Sequence, residues 1–252
     1  YSIKKNIRLL NITSIVIRSQ ENGEIDYDDL ANTLQFNRDK PAIILTNFGT
    51  TMKEAKDDVS KVKAVLRKSA IQDHYIHCDA ALSGSYGAFL EPRVPFDFED
   101  GADSISISGH KFIGSPIPSG VIITRRSTKD RIAKGVSYIG SMDTTITGSR
   151  NGHSPLFLWY AIQKMGIEGL RARYKHSQEV AQYCKNELIK IGIEAWTNEG
   201  AITVVFPEIS EAIKGKWQLA TDDVTHIICM PNVTKEKIDE FIIDVRIEKG
   251  IA

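Results

Sequence analysis

The chain has 252 residues, of which 42% are hydrophobic and 25% charged, a balance typical of a globular protein with one large domain or a large and a smaller one. Lys+Arg and Asp+Glu both number 32, so the formal net charge is zero and the composition offers no basic surface for nucleic acid. No apolar run approaches the roughly 20 residues that span a bilayer, so we expect neither a nucleic-acid nor a membrane partner.

The cysteines are few and widely spaced. Cys78, Cys184 and Cys229 are odd in number and form no CxxC pair. This spacing indicates neither a disulfide framework nor a zinc site, so we expect no metal. A reducing, cytoplasmic location is the better expectation.

The first residues read as the middle of a longer sequence. The chain opens on YSIKKNIRLLNI without an initiating Met or a signal peptide. Ile3, Ile7 and Leu10 fall at helical spacing. We therefore expect this chain to be a piece of a larger protein.

Strand-like apolar runs alternate with amphipathic, helix-like stretches over the first half of the chain. Ala42–Phe48 is a continuous apolar run, which predicts a strand buried on both faces. The other predicted strands are Ser14–Arg18, Tyr75–Cys78, Ser104–Ser108 and Gly120–Thr124. Helices are predicted at Asp26–Leu34, with Asp26 as the N-cap, and at Asp57–Ile71. This alternation predicts an α/β fold, a mostly parallel sheet with flanking helices.

The pattern changes in the last hundred residues. Pro155–Ile191 is helical almost throughout, with a break near Gly166–Gly169, and Trp159 and Tyr160 fit its apolar, core-packing face. IEAWT, AITVVF and VTHIICM then read as short strands, and Thr234–Glu248 as a closing helix. We predict a large domain at 1–150, connecting long helices at 151–192 and a small C-terminal α+β domain at 193–252.

Lys111 follows a strand-like run in the stretch SISISGHKFIGSPIPSG. An isolated lysine is most simply a solvated surface residue. At a strand end that faces a cleft, however, an amine shielded from water can form a Schiff base with an aldehyde. The neighbouring His110 and the loop-forming GSPIPSG favour the cleft.

Polar groups also follow two other predicted strands. Asp79 ends a strand in IHCDAALSG, where it could pair with a protonated pyridine nitrogen, although an aspartate there is more often a turn former. Thr50 and Thr51 follow a buried strand in FGTT; alone, they read as ordinary loop residues. Together, the three strand ends of one sheet predict a cofactor site.

These motifs bear a family resemblance. FGTT, HCDAA and SISISGHKFIGSPIPSG resemble the group II pyridoxal-phosphate-dependent amino-acid decarboxylases, above all their bacterial histidine and plant serine branches. The similarity runs along essentially the whole chain. It implies a fold-type I architecture, pyridoxal 5'-phosphate as cofactor, an amino acid as the small-molecule substrate, and a homodimer. Histidine, converted to histamine and CO2, is the best-matching substrate.

The resemblance also implies roles for individual residues. Lys111 matches the Schiff-base lysine and Asp79 the acid that pairs with the pyridine nitrogen. Thr51 matches a hydroxyl near the ring oxygen and the substrate. The remaining matches are Ala81 on the ring face, His77 supporting the acid, Ser108 and His110 near the phosphate, and the Thr144–Arg150 loop, which approaches the partner subunit's cofactor.

The chain departs from the family pattern at its start. The family fold begins more than a hundred residues earlier, with a Gly/Thr-rich phosphate-binding turn and a ring-stacking histidine that have no counterpart here. The large domain is therefore expected to be N-terminally incomplete. Three alternatives stay open: a serine or aromatic amino-acid decarboxylase, another pyridoxal-phosphate enzyme, or a catalytically incomplete fragment or subunit. The acid that reprotonates the product is not identified; Tyr138 is a weak candidate.

Overall fold

A computed structural model describes residues 2–136 and 140–251. Tyr138 lies outside these described residues. The helices are α1 Ser2–Leu9, α2 Tyr27–Phe36, α3 Val59–Lys68, α4 Arg126–Ile132, α5 His153–Lys190, α6 Glu211–Trp217 and α7 Lys235–Lys249. The strands are β1 Ala42–Asn47, β2 His74–Asp79, β3 Ser104–Ser108, β4 Gly120–Thr124, β5 Lys134–Val136, β6 Ser141–Asp143, β7 Thr203–Phe206 and β8 Thr225–Ile228.

The central sheet has the order β1-β2-β3-β4. The first three strands are parallel and β4 is antiparallel to β3. In this register Asn47 lies beside Asp79, and Asp79 lies beside Ser106. The expected mostly parallel α/β sheet is confirmed, and its parallel strands end at one common edge.

One face of the sheet is covered by α2 and α3. Ile44, Ile76 and Ile105 point to this face and are buried in one core with the apolar side chains of both helices. Ile43 points to the opposite face and is 72% exposed. The prediction that β1 is buried on both faces is therefore wrong, because within the described residues helices α2 and α3 cover only one side of it.

Polar side chains fix the helix starts that the sequence predicts. The Asp26 carboxylate accepts hydrogen bonds from the amides of Asp28 and Asp29, both at 3.0 Å. The Thr234 hydroxyl accepts one from the amide of Lys237 at 3.3 Å. These caps satisfy amides that have no partner inside the helix, so α2 and α7 begin where predicted.

Two predicted strands do not form. The 14–18 segment forms no strand; a single bridge from Ser19 to Ile25 follows it. The stretch IEAWT makes only the bridge from Trp196 to Val205. High β-propensity alone is not enough, because a strand needs a neighbour that pairs along its length, and neither segment has one in the described chain.

Helix α5 is interrupted where the glycines predict. Gly166 has φ 59° and ψ −172°, a conformation outside the helical region that divides α5 into two parts. In the first part Trp159 is 58% and Tyr160 57% exposed. The expectation that these two rings pack in a core is therefore wrong for the residues that the structure describes.

The second half of α5 belongs to a separate hydrophobic cluster. Val180, Cys184 and Leu188 are fully buried there against Val204 and Phe206 of β7. The same cluster includes the apolar face of α7, namely Ile238, Phe241, Ile242 and Val245. The C-terminal segment therefore has its own α+β core.

No helix in residues 2–136 and 140–251 is both long and apolar enough to cross a membrane. Within the same residues, no group of three or more His, Cys, Asp or Glu side chains could hold a metal ion.

Candidate active site

The alternating Ile and Ser residues of β3 separate a core face from a polar face. Ile105 is buried with the main core, and Ile107 packs against it. Successive strand residues point to opposite faces, so Ser104, Ser106 and Ser108 share the other face. The register places His77 beside Ser104 and Asp79 beside Ser106. A polar surface therefore runs along the face of the sheet that α2 and α3 leave open.

Asp79 ends β2 with one carboxylate oxygen engaged and one free. Its Oδ1 accepts hydrogen bonds from the Ala81 amide at 3.1 Å and the Ser106 hydroxyl at 3.3 Å. Its Oδ2 accepts none from any residue in the described ranges. The carboxylate is thus held in one orientation, with a free oxygen on the polar face of the sheet.

His77 lies on the same face as Asp79, two residues earlier. Its Nδ1 lies 2.7 Å from the Ser104 hydroxyl. Burial lowers the pKa of His77, and the nearby Asp79 carboxylate opposes this shift. Burial therefore favours the uncharged imidazole beside Asp79.

Lys111 lies in a turn that is bonded to both neighbouring segments. The Ser108 amide donates to the Ala81 carbonyl at 3.2 Å, which joins the end of β3 to the loop that follows Asp79. The Gly109 amide donates to the Ser119 carbonyl at 3.0 Å, which closes the turn on its other side. The chain thus carries Lys111 past the end of β3 in a fixed conformation.

The side chain of Lys111 is half-buried, and it makes no hydrogen bond or ion pair with the residues that the structure describes. The next residue, Phe112, is fully buried, with its ring 4.8 Å from that of Tyr86. Phe112 therefore anchors the turn in the core and leaves the Lys111 amine available.

His110 is exposed, and its ring is oriented by Ser119. Its Nδ1 lies 3.1 Å from both the amide nitrogen and the carbonyl oxygen of Ser119. These contacts hold the ring at the turn, and Nε2 has no hydrogen-bond partner among the described residues. Nε2 of His110 is therefore available to a ligand.

The two threonines after β1 have different environments. Thr50 is used within its own turn, where its hydroxyl accepts from the Ala55 amide at 2.9 Å. Thr51 is exposed and makes no hydrogen bond with another described residue. Thr51 lies near the same sheet edge, four residues beyond Asn47, but no contact in the described structure joins it to Lys111 or Asp79.

The Thr144–Arg150 loop is exposed and internally bonded. Arg150 donates to the carbonyls of Thr147 and Gly148 at 3.2 and 3.1 Å. Asp143, at the end of β6, accepts from the Thr145 amide at 3.1 Å. The hydrogen bonds of the described loop thus run within the loop itself and to Asp143.

Three polar residues of the site have no predicted role. Ser106 and Ser104 hold Asp79 and His77, and Asn47 continues the polar row onto β1. The positions of the two serines could have been predicted from the sequence, because their spacing of two places them on one strand face with Ser108. The position of Asn47 could not, since only the strand register brings it beside Asp79.

The donor set fits pyridoxal phosphate. An unpaired amine at Lys111, a free carboxylate oxygen at Asp79 and an available ring nitrogen at His110 match an aldehyde, a pyridine nitrogen and a phosphate. Ala81, two residues after Asp79, has only a methyl side chain, which leaves room for a flat ring. The residues present therefore have the chemistry that this cofactor requires.

Comparisons with known proteins agree with this chemistry. Residues 1–207 match the pyridoxal-dependent decarboxylase conserved domain. A histidine decarboxylase from Mesorhizobium japonicum is 48% identical over 242 residues, which cover 96% of this chain and 66% of that protein. The histidine decarboxylase of Morganella morganii is 45% identical over 255 residues, covering 100% of this chain and 66% of that protein.

Solved structures agree in fold. An L-methionine decarboxylase from Streptomyces sp. 590 superposes with a TM-score of 0.83 at 25% identity, covering 97% of this chain and 68% of that one. A glutamate decarboxylase from Lactobacillus brevis superposes with a TM-score of 0.82 at 19% identity, covering 98% of this chain and 63% of that one. At this identity the likeness supports the fold alone. This chain spans just under two thirds of the length of the curated relatives above, at 66%. The chain belongs to the pyridoxal-dependent decarboxylase family.

Proposed function

We propose that this chain carries the lysine and acid of a pyridoxal-phosphate-dependent decarboxylase that converts L-histidine to histamine and CO2. The observation that carries the proposal is the placement of Asp79 at the end of β2 and of Lys111 in the turn after the neighbouring β3, where the Ser108 amide donates to the Ala81 carbonyl and joins the two loops. Histidine as the substrate is supported by relatives named histidine decarboxylase that are 41–48% identical to the chain.

The cofactor, when bound, draws electrons from the amino acid's α-carbon and so stabilises the charge left when CO2 departs. In this proposal Lys111 is the point of covalent attachment. Asp79, through its free Oδ2, holds a proton on the pyridine nitrogen, and the uncharged His77 beside it supports that carboxylate. The aspartate thereby keeps the ring positively charged at the nitrogen.

The remaining residues bind and orient. Ser108 and His110 come just before Lys111 and would bind the phosphate, His110 through its Nε2. Ala81 would lie against the ring face. Thr51, on the exposed turn after β1, would contact the ring oxygen and the substrate.

Oligomeric state, location and domain boundaries belong to the same proposal. We infer a homodimer, supported by the exposed apolar side chains Leu156, Trp159 and Tyr160 on the first part of α5. A cytoplasmic location is supported by three cysteines that are all free and buried. The proposed division at residues 150 and 192 matches the two hydrophobic clusters only in part. The first cluster is formed mainly by residues 25–112 but includes Tyr174 and Ile202, and the second begins at Val180 on α5.

Two alternatives remain. One is a decarboxylase for serine or an aromatic amino acid, or another reaction of the same cofactor, since fold and cofactor do not fix the reaction. The other is a catalytically incomplete fragment or subunit, consistent with the 66% coverage of the relatives.

The test is product formation by the chain supplied with pyridoxal phosphate. L-Histidine, L-serine and an aromatic amino acid are offered separately, and CO2 and amine are measured for the parent and for Lys111→Ala. We expect histamine from the parent and a rate roughly a thousandfold lower or more from Lys111→Ala, because the amine is the covalent attachment point. A product from another amino acid alone would replace histidine as the substrate, and no product from any of them would favour the incomplete-chain alternative.

A further inference from the structure

We propose that the buried carboxylate of Glu54 is a positioning residue of the cofactor site, which holds together the loops that carry Thr51, Asp79 and Lys111. This inference rests on the proposed function, since it concerns the same site.

Glu54 is a fully buried acid with many hydrogen-bond donors. Its Oε1 accepts from the Tyr86 hydroxyl at 2.6 Å, and the Ser83 hydroxyl lies 3.4 Å away. Its Oε2 accepts from the Ile202 amide at 2.9 Å and the Thr203 hydroxyl at 2.6 Å. A carboxylate out of water is tolerated only when donors replace its hydration, as they do here.

Glu54 has a cationic side chain and a phenol as buried neighbours. Lys56 is buried beside it, with Nζ 3.5 Å from Oε1. Burial lowers the pKa of Lys56, and Glu54 opposes that shift. Burial and the neighbouring Glu54 charge raise the pKa of Tyr86 well above its usual value, so Tyr86 keeps the proton that it donates. The Glu54 carboxylate thus binds the donors of Tyr86, Ile202 and Thr203 and lies beside the Lys56 amine.

The backbone at Glu54 is held in an unusual conformation. Its φ is 50°, in the left-handed region that residues other than glycine rarely adopt. The Glu54 amide donates to the Thr50 carbonyl at 2.8 Å, which closes the turn that contains Thr51. Strain of this kind persists where surrounding contacts require it and is concentrated at functional sites.

The partners of Glu54 lead to the two other loops of the site. Ser83 follows Asp79 and Ala81 in the same loop, and its amide donates to the Phe48 carbonyl at 3.3 Å. A Cβ on Gly49 would lie 2.3 Å from the Ser83 hydroxyl, so these two loops are in close contact.

Tyr86 extends the network to the lysine turn. Its ring packs 4.8 Å from that of Phe112, the residue after Lys111. The Tyr86 hydroxyl also lies 2.9 Å from that of Ser83. Through Tyr86, therefore, the carboxylate fixes the side chain that anchors Lys111.

The other oxygen of Glu54 ties these loops to the C-terminal segment. Thr203 begins β7, whose Val204 and Phe206 belong to the second hydrophobic cluster. Ile202, which immediately precedes β7, belongs to the first cluster. Glu54 therefore sets the position of the site loops relative to that segment without itself lying among the ligand-binding groups that we assign.

The test compares cofactor binding with folding stability. Glu54→Gln keeps the shape but removes the charge, and Tyr86→Phe keeps the ring that packs on Phe112 but removes the hydroxyl that binds Glu54. Val245→Ala is the control, because it weakens the second cluster without touching the Glu54 network. For each, we measure the pyridoxal phosphate dissociation constant, the circular dichroism of the bound cofactor at saturation, and the free energy of unfolding.

We expect Glu54→Gln and Tyr86→Phe each to weaken cofactor binding roughly tenfold, the loss of one hydrogen bond to a charged group. We also expect these two variants to change the circular dichroism per bound cofactor. Val245→Ala should leave the cofactor dissociation constant and the dichroism at parent values. If cofactor binding and dichroism in Glu54→Gln and Tyr86→Phe matched the parent, or if Val245→Ala weakened cofactor binding equally, the role of Glu54 would be overturned. The proposed function would be unaffected by that result. A parent chain that binds no pyridoxal phosphate would overturn the proposed function, and this inference with it.

Discussion

The Asp79 carboxylate has one oxygen free to pair with a cation, and none of the described residues provides that cation. The amide of Ala81 and the hydroxyl of Ser106 both bind Oδ1, which leaves Oδ2 free. A carboxylate with one constrained and one free oxygen is well suited to hold a proton on a ligand nitrogen. At the scale of single residues, this is the clearest sign that the polar face receives a charged heterocycle.

Substituting Asp79 tests this role directly. Asp79→Asn keeps the size and the acceptor at Oδ1 but removes the charge, so the pyridine nitrogen is no longer held protonated. We expect decarboxylation to slow by roughly a hundredfold or more, since preorganised charge is worth that much in active sites. Steady-state rates at saturating cofactor are the measurement.

Asp239→Asn serves as the matched control, because Asp239 contacts Tyr183 on the surface of the C-terminal segment. Its rate should equal that of the parent. If Asp79→Asn and Asp239→Asn were equally active, the assignment of Asp79 as the pyridine partner would be wrong.

At the scale of elements, the site follows from the sheet. Parallel strands end at the same edge, so β1, β2 and β3 deliver Asn47, Asp79 and Ser106 in one row. The turn after β3 then carries Lys111 beyond the edge. Helix α5 supports that turn, since a Cβ on Gly109 would lie 2.4 Å from Leu158.

The fit between the Lys111 turn and α5 leads to a stability prediction. In Gly109→Ala the new methyl group would meet Leu158, and also the Ser119 hydroxyl at 2.6 Å. We expect a loss of about 1–3 kcal/mol in the free energy of unfolding, with weaker cofactor binding, because overpacking displaces the turn. Denaturant titration and cofactor titration measure the two effects.

Gly120→Ala is the matched control, because a Cβ there has nothing within 4 Å. Adding Leu158→Ala to Gly109→Ala should restore part of the lost binding by making room. If Gly109→Ala behaved like Gly120→Ala in both titrations, α5 would not support the lysine turn.

Much of this architecture could be predicted from local signals. The caps Asp26 and Thr234 and the break at Gly166 are encoded in single side chains or in a single glycine, so the helices that they delimit were predicted correctly. The strand predicted at 14–18 does not form, because a strand depends on a pairing neighbour as much as on its own residues.

Parts of the site depended on contacts that no local pattern reveals. The Ser104 and Ser106 partners follow from the strand register, which joins residues 27 positions apart. Glu54 sits in a polar stretch that reads as a surface loop, yet its carboxylate binds residues 148 and 149 positions away. Hydrogen bonds at such sequence distances come from the tertiary fold alone.

At the scale of the whole molecule, the sheet and the C-terminal segment have separate cores that meet around Glu54. Tyr174 of α5 stacks on Tyr86 with ring centroids 4.9 Å apart, and its hydroxyl donates to the Gly200 carbonyl at 2.9 Å. These contacts and the Glu54 carboxylate join the C-terminal segment to the loops that carry the candidate site. The position of Lys111 therefore depends on contacts from both the sheet and the C-terminal segment.

The central claim is that Lys111 is the residue to which pyridoxal phosphate attaches. The most direct measurement is to incubate the chain with the cofactor, reduce it with borohydride, digest it, and locate the phosphopyridoxyl group by mass spectrometry. We predict that the label lies on the peptide containing Lys111 and is lost in Lys111→Ala. A label on another lysine, or equal labelling of the parent and of Lys111→Ala, would contradict the claim.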